Sequence, residues 1–461
     1  MNGRRLGSSF RDPSGFVYVA DGVLYRQVNQ AYSAHYDSLM RSGLYQALVD
    51  KAWLVPHEEV AGPAAAEAYR ILKPQAVPYV SYPYEWSFSQ LKDAALLTLD
   101  IQILSLSFGM VLKDASAYNV QFIGARPVFI DTLSFEIYED GAPWVAYRQF
   151  CEHFLGPLAL MAHRDVRLHQ LLSRFIDGVP LDLVANLLPL RTRARFGLLA
   201  HIHLHARSQQ RHRDDASGAR PPSIPRLPKS RLIALMESLR AAVRGCHLPE
   251  RRTEWSDYYE ETNYSPEAMS AKEALVRRLV DQTASSAGVL HDIGANTGRF
   301  SRLVAGPDRY VVSHDIDELA VERNYLEARR TGSETVLPLV LDLANPSPPV
   351  GWALEERSSA LERIAGGAVL ALALVHHLAI SNNVLLPQLA ALFARLGPAL
   401  IIEFVPKEDS QVRRLLATRR DIFPEYTLES FEAEFSRRFE ITQRHAVPGT
   451  VRTLFAMRRR V

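Results

Sequence analysis

A chain of 461 residues exceeds what one ordinary core encloses, since single hydrophobic cores stop growing beyond roughly 250 to 300 residues, so two domains are expected. Hydrophobic residues make up 47% and charged residues 23%, which excludes a disordered or fibrous chain. A formal charge of only +2, from 53 Lys and Arg against 51 Asp and Glu, gives no electrostatic case for a nucleic-acid partner.

Residues 1–10 carry two arginines with no apolar stretch behind them, unlike a secretory signal. Cys151 and Cys246 are the two cysteines, too few for a disulfide framework or a zinc set. Both features predict a cytoplasmic protein. The most apolar stretch, 94–112, contains Asp100 and Gln102 and lies between Lys92 and Lys113, so it reads as a buried helix, and no membrane partner is expected.

Two short β-like runs, 16–20 and 23–28, flank the turn dipeptide Asp21-Gly22 and predict an opening hairpin. Helical stretches follow, among them 88–108, then strand-like 120–123 and 127–130, then a mostly helical segment over 144–205. This is a mixed α+β domain, 1–205. Residues 206–231 are rich in Arg, Ser and Pro, and 206–250 reads as a basic, Pro-rich linker; solvated residues between domains, or contacts to phosphate or an acidic partner, both suit its arginines. From 251 to 461 strands and helices alternate: 288–293, 299–304, 310–313, 318–330, 335–341, 368–374, 385–395 and 399–404. Apolar β-branched runs alternating with amphipathic helices predict an α/β domain with a parallel sheet covered on both faces. Runs 439–447 and 451–457 around Pro448-Gly449-Thr450 then predict a terminal antiparallel hairpin.

The first strand of this domain runs into His291-Asp292-Ile293-Gly294-Ala295-Asn296-Thr297-Gly298-Arg299, a tight glycine-bearing turn before a helix, where backbone N–H groups can approach a nucleotide-like ligand. About twenty residues on, the second strand ends at Asp315-Ile316, where an acid can accept hydrogen bonds from both ribose hydroxyls. The third strand ends at Asp342-Leu343, suited to an adenine amine and ring nitrogen. This series resembles the class I S-adenosylmethionine (SAM) dependent methyltransferases, whose first motif is acid-x-Gly-x-Gly-x-Gly. Asp292, Gly294 and Gly298 match; Asn296 stands at the middle glycine, and Asn tolerates left-handed backbone. The resemblance implies a Rossmann-like seven-stranded sheet, SAM as cofactor, and Asp292, Gly294, Asn296, Gly298, Asp315, Ile316, Asp342 and Leu343 as its binding residues. A dinucleotide-binding domain shares the turn and the ribose acid, but the spacing is not Gly-x-Gly-x-x-Gly and that fold ends differently.

At the carboxyl end of the fourth strand, His376 and His377 are candidates for a base or for positioning the acceptor, and Glu403, ending the fifth, could hold substrate. The aromatic and acidic stretch 255–264 could close over the cofactor or staple the chain to the sheet. Asn345-Pro346-Ser347-Pro348-Pro349 follows the third strand and reads as a loop.

In the first domain, Asp114, Asn119 and Asp131 sit around the 120–123 and 127–130 strands. Their order resembles protein kinases and aminoglycoside phosphotransferases, implying Asp114 as base and Asn119 and Asp131 as metal ligands. Leu112 departs from the usual histidine, Asp131-Thr132-Leu133 from Asp-Phe-Gly, and no Gly-rich loop with a following lysine is present; Lys73 and Arg26 remain open as the phosphate-binding cation.

Across its length, including residues 10–16 and 403–407, the chain resembles a bacterial two-domain methyltransferase group that includes a host-specificity nodulation protein of rhizobia. That implies methyl transfer to an O or N of a small-molecule or carbohydrate-type acceptor; no metal ligands for the transfer are read from the sequence, and a metal requirement is not legible in it. The alternatives are a bifunctional protein with an ATP-dependent phosphotransferase domain, or a non-catalytic SAM-binding protein. Oligomeric state is not legible.

Overall fold

The computed structural model describes residues 4–65, 67–208, 226–249, 265–284, 288–417 and 420–460. The chain forms two compact units: Met1–Phe122, Pro127–Glu250 and Pro349–Ser358 in the first, and Ile123–Arg126, Arg251–Pro348 and Ser359–Val461 in the second.

The first unit opens on an antiparallel sheet of β1 (Arg4–Arg5), β2 (Gly15–Ala20), β3 (Val23–Asn29), β4 (His57–Glu59) and β5 (Ala68–Pro74), in the order β1-β2-β3-β5-β4. Asp21 and Gly22 both take positive φ, 49° and 76°, the conformation a two-residue hairpin turn requires. Helices Ser33–Arg41 and Leu44–Asp50 follow β3. The expectation of helical stretches between the opening hairpin and residue 120 missed β4, β5 and a further short strand, Met110–Leu112, because none of them alternates apolar and polar residues: β4 is His-Glu-Glu, β5 ends on Lys-Pro, and the third is Met-Val-Leu.

Helix Phe88–Ser107 starts at a capping box in which the Ser87 N–H donates to Gln90 Oε1 at 2.9 Å, and it is buried on most sides, as its unbroken apolar run requires. Strands β6 (Met110–Leu112), β7 (Val120–Ile123), β8 (Arg126–Phe129) and β9 (Phe135–Ile137) follow, with β6 pairing β9 and β7 pairing β8. The linker assignment of 206–250 is corrected in its second half. Lys229–Arg244 is a helix of the first unit, burying Leu232, Met236, Leu239 and Val243 at helical spacing. Its stripe went unread because the Pro- and Arg-rich composition ahead of it dominated the segment. Residues 209–225 lie outside the described residues.

The second unit is built on β10 (Val289–Ile293), β11 (Tyr310–Asp315), β12 (Val336–Val340), β13 (Ala368–Ala371), β14 (Ala399–Phe404), β15 (Phe439–Ala446) and β16 (Thr453–Arg459). Their order is β12-β11-β10-β13-β14-β16-β15, parallel throughout except β16, which runs antiparallel to both β14 and β15. This is the Rossmann-like seven-stranded sheet expected from the sequence, terminal hairpin included. Alternate residues serve two cores: Val369, Ala371, Leu400 and Ile402 pack with Phe393 and Phe435 on one face. Ala368, Leu370 and Ile401 pack with Val276, Leu279 and Val280 on the other. A strand buried on both faces has no polar side to show, which is why these runs read as continuously apolar.

Candidate functional site

The strand order reverses between β10 and β13, and in open α/β sheets ligands bind at the carboxyl ends of the strands flanking that switch. The chain leaving β10 takes left-handed φ at three alternate positions: Gly294 at 80°, Asn296 at 52° and Gly298 at 75°. Asn296 thus supplies the middle left-handed residue, and its Oδ1 accepts from the Thr297 N–H at 2.8 Å. Gly298 has a second reason to be glycine, since a Cβ there would lie 2.1 Å from Asn324 Oδ1. The N–H groups of Gly294 and Ala295 donate to the His314 carbonyl at 2.8 and 2.9 Å, pinning the turn to β11.

Asp292 lies beneath this turn rather than at its surface. It is buried, with Oδ2 accepting from Ser301 Oγ at 2.6 Å, and Ser301 Oγ in turn accepts from Ser313 Oγ at 2.8 Å. Asn324 Nδ2 completes the network to Ser313 Oγ at 2.7 Å. Burial pushes the Asp292 carboxyl up to about 7.

Asp315 ends β11 half-buried. Its Oδ2 accepts from the Asn296 N–H at 2.7 Å and its Oδ1 from the Asp317 N–H at 2.9 Å. Burial raises the carboxyl to about 6 against the pull of these N–H groups, and each oxygen keeps a further lone pair for a hydroxyl donor. Next to it Ile316 is 56% exposed, an apolar side chain set at the site's edge. Asp342 is half-buried, its Oδ1 accepting from the Ala344 N–H at 2.8 Å, and Leu343 beside it is buried. Residues 345–349 form a loop after β12.

On the other side of the switch, Glu403 is fully buried at the end of β14. Its Oε2 accepts from the Ala373 N–H at 2.9 Å and pairs with Lys272 Nζ at 2.8 Å. Ala373 has φ 48°, so Glu403 fastens a left-handed turn just before the two histidines. His376 is buried, and neither ring nitrogen has a hydrogen-bond partner among the described residues. The His376 and His377 rings lie 4.1 Å apart. Burial lowers His377 to about 4 and His376 well below the usual histidine value, with the charges of Arg452 and Lys272 adding to it at His376. Both imidazoles are therefore neutral at pH 7, and near-neutral basicity, the ground for reading either as a base, is not what burial leaves. Arg452 is itself bound to Asp409 through Nε at 2.8 Å and Nη2 at 3.2 Å.

Lys272 is the residue sequence reading missed. It lies on helix Pro266–Thr283 amid buried Ala268, Met269, Leu275 and Val276, and acts electrostatically on Asp292 as well as His376. A lysine interrupting the apolar stripe of an amphipathic helix was the available signal. The 255–264 stretch lies outside the described residues.

In the first unit, Asn119 Nδ2 donates to Ser134 Oγ at 3.2 Å and Ser134 Oγ to Asp131 Oδ2 at 2.6 Å, so these positions are joined. Arg26 on β3 forms an ion pair with Asp131 and lies 3.8 Å from Asp12. Of the two cations left open, Arg26 is the one the structure brings to these acids. Asp114 Oδ1 accepts from the Ser116 N–H at 2.9 Å and Gln149 Nε2 at 2.8 Å, and burial, then the Asp131 charge, raises its carboxyl. Among the described residues no group of three or more His, Cys, Asp or Glu side chains is arranged to hold a metal.

No protein-family model matches the chain. Among solved structures, N-methyltransferase NodS from Bradyrhizobium japonicum in complex with S-adenosyl-L-homocysteine is 12% identical, covering 43% of this chain and 90% of NodS at a TM-score of 0.31. Magnesium protoporphyrin IX methyltransferase ChlM from Synechocystis with bound S-adenosyl-L-homocysteine is 16% identical over 42% of this chain and 84% of ChlM, also at 0.31. Over full length the likeness is of another order: the nodulation protein NoeA of Rhizobium meliloti is 37% identical over 469 residues, 99% of this chain and 96% of NoeA. The chain therefore belongs to the family of NoeA.

Proposed function

We propose that the second unit transfers a methyl group from SAM to an oxygen or nitrogen of a small-molecule or carbohydrate-type acceptor. The observation that carries this reading is the joined geometry of the left-handed turn and Asp315: Asn296 donates its N–H to the carboxylate whose remaining lone pairs suit ribose hydroxyls. The residues present fit the cofactor. Gly294, Asn296 and Gly298 form the cradle, Asp315 would hold the ribose, Ile316 and Leu343 would flank the adenine, and Asp342 would accept from its amine. Asp292, buried and bonded to Ser301, would support the cradle from below. Bound there, SAM supplies an electrophilic methyl group. The chain's own part is to hold the acceptor atom in line with it. His376 and His377, as neutral imidazoles, act as positioning residues, and Glu403 orients their turn through Ala373 instead of contacting the acceptor.

The test is calorimetric titration of SAM into the wild type and Asp315→Ala. Binding that the variant weakens by at least about tenfold, as expected for losing hydrogen bonds to a charged group, supports the reading. A folded wild type that binds no SAM overturns it. SAM binding with no methylated product across carbohydrate and other small-molecule acceptors would favour the non-catalytic alternative.

A second reading, phosphoryl transfer by the first unit, is favoured by Arg26. In protein kinases the phosphate-binding cation is on the third strand, and Arg26 is on β3, beside Asp131. The same Asp131 carboxylate is already engaged by Arg26, Ser134 and the Leu133 N–H, so metal binding would require these bonds to rearrange. Magnesium-dependent ATP turnover that Asp131→Ala abolishes supports this reading, and no turnover removes it.

A further inference from the structure

One stretch of the first unit combines strong positive charge with protruding apolar side chains. Residues 183–208 contain no Asp or Glu but include Arg191, Arg193, Arg195 and Arg207. Residues 190–196 are exposed except for Thr192, which anchors the stretch by donating Oγ1 to the Pro189 carbonyl at 2.7 Å and meeting His203 Nε2 at 2.9 Å. Leu190 is 72% and Phe196 77% exposed, at the two ends of this seven-residue rim. Isolated exposed apolar residues need no explanation, but two large ones bracketing three arginines do.

Those arginines lack carboxylate partners among the described residues; Arg195 Nη1 donates only to the Gly245 carbonyl, at 3.2 Å. Their charge is felt inside the unit. His163 and His203 are held below the usual histidine value first by burial, then by Arg195 and Arg191 at His163 and by Arg193 and Arg207 at His203.

We propose that the 190–196 rim is a docking surface for an anionic lipid bilayer, with Leu190 and Phe196 entering the interface and Arg191, Arg193 and Arg195 meeting the headgroups. Charge complementarity selects an anionic partner. The paired apolar side chains select a bilayer over a nucleic acid, since insertion at the headgroup–acyl boundary uses both, whereas base stacking would use the aromatic ring and leave Leu190 idle. The sequence led to the expectation of no membrane partner, and this proposal departs from it; none of the helices among the described residues is long and apolar enough to cross. A surface contact needs none.

The experiment is co-sedimentation of the full chain with phosphatidylcholine vesicles, with and without phosphatidylglycerol. Variants are Leu190→Ser/Phe196→Ser and Arg191→Gln/Arg193→Gln/Arg195→Gln, with unchanged thermal midpoints as the folding control. The expected result is binding to the anionic vesicles alone, weakened at least about tenfold in each variant and by added salt. Failure of the folded wild type to sediment with anionic vesicles overturns the proposal. So does binding that either variant leaves unchanged, or binding of single-stranded RNA that depends on the arginines but not on Leu190 and Phe196 and exceeds vesicle binding. None of these outcomes depends on the methyl-transfer reading.

Discussion

At Gly298, two independent restrictions fall on one residue: φ is +75°, and a Cβ would meet the Asn324 amide at 2.1–2.4 Å. Gly298→Ala is expected to destabilise the protein by about 1–3 kcal/mol from backbone strain, with more from displacing Asn324, read as a lowered thermal midpoint. The glycine itself was legible in the sequence, but the Asn324 contact was not, because the two residues meet only once helix Glu318–Arg330 packs beside the turn. Asp315 gives a pH prediction. The charged carboxylate is the better acceptor for ribose hydroxyls, and burial raises it to about 6. SAM affinity should therefore rise as pH rises through about 6 and level off above it, in titrations from pH 5 to 8. Asp315→Asn should bind more weakly and lose that dependence.

Among the elements, helix Pro266–Thr283 and β14 are joined by the buried Lys272–Glu403 pair. Removing one partner strands the other charge in the core. Lys272→Met is expected to cost on the order of 3–5 kcal/mol in urea unfolding, while Lys272→Met/Glu403→Gln, which removes the stranded charge and keeps an acceptor for the Ala373 N–H, should recover most of it. An unchanged midpoint in the single variant would contradict a stranded charge in the core. Element boundaries were legible where caps and periodicity agreed. Helix Glu318–Arg330 begins where Asp317 Oδ1 accepts from the Leu319 and Ala320 N–H groups, and it has the bounds expected from its sequence. Helix Pro266–Thr283 has a serine cap and an early proline too, but Lys272 breaks its apolar stripe, and only burial against Glu403 explains why a lysine belongs there.

For the molecule as a whole, acid should destabilise the first unit more than the second. In the first, burial lowers His153, His169 and His201 each to about 4 from 6.5. The unfolded chain takes up protons below about 6.5 that these folded sites refuse, so stability falls as pH drops from 6.5 toward 4, by about 2 kcal/mol per fully buried ring at pH 5. In the second unit His291, His314, His376 and His377 act likewise, but Asp292 and Asp315, raised from 3.8 to about 7 and about 6, offset part of that loss. Their contribution is fully present below 3.8 and is lost as pH rises through the raised values, so acid favours it. Scanning calorimetry at pH 7.5 and 5 should show the first unit's transition falling further, with the second identified by its upward shift on adding SAM. Equal shifts would contradict this.

The sequence by itself determined the alternation of strands and helices, the left-handed turn and the acid that follows it, because local periodicity, turn chemistry and spacing along the chain fix these without long-range contacts. Tertiary structure decided what those residues do. It put Asp292 under the turn, made the two histidines neutral, tied Glu403 to a lysine 131 positions away, and brought Arg26 to Asp131. Each outcome depends on burial and on charges from distant elements, and neither is written in the local pattern.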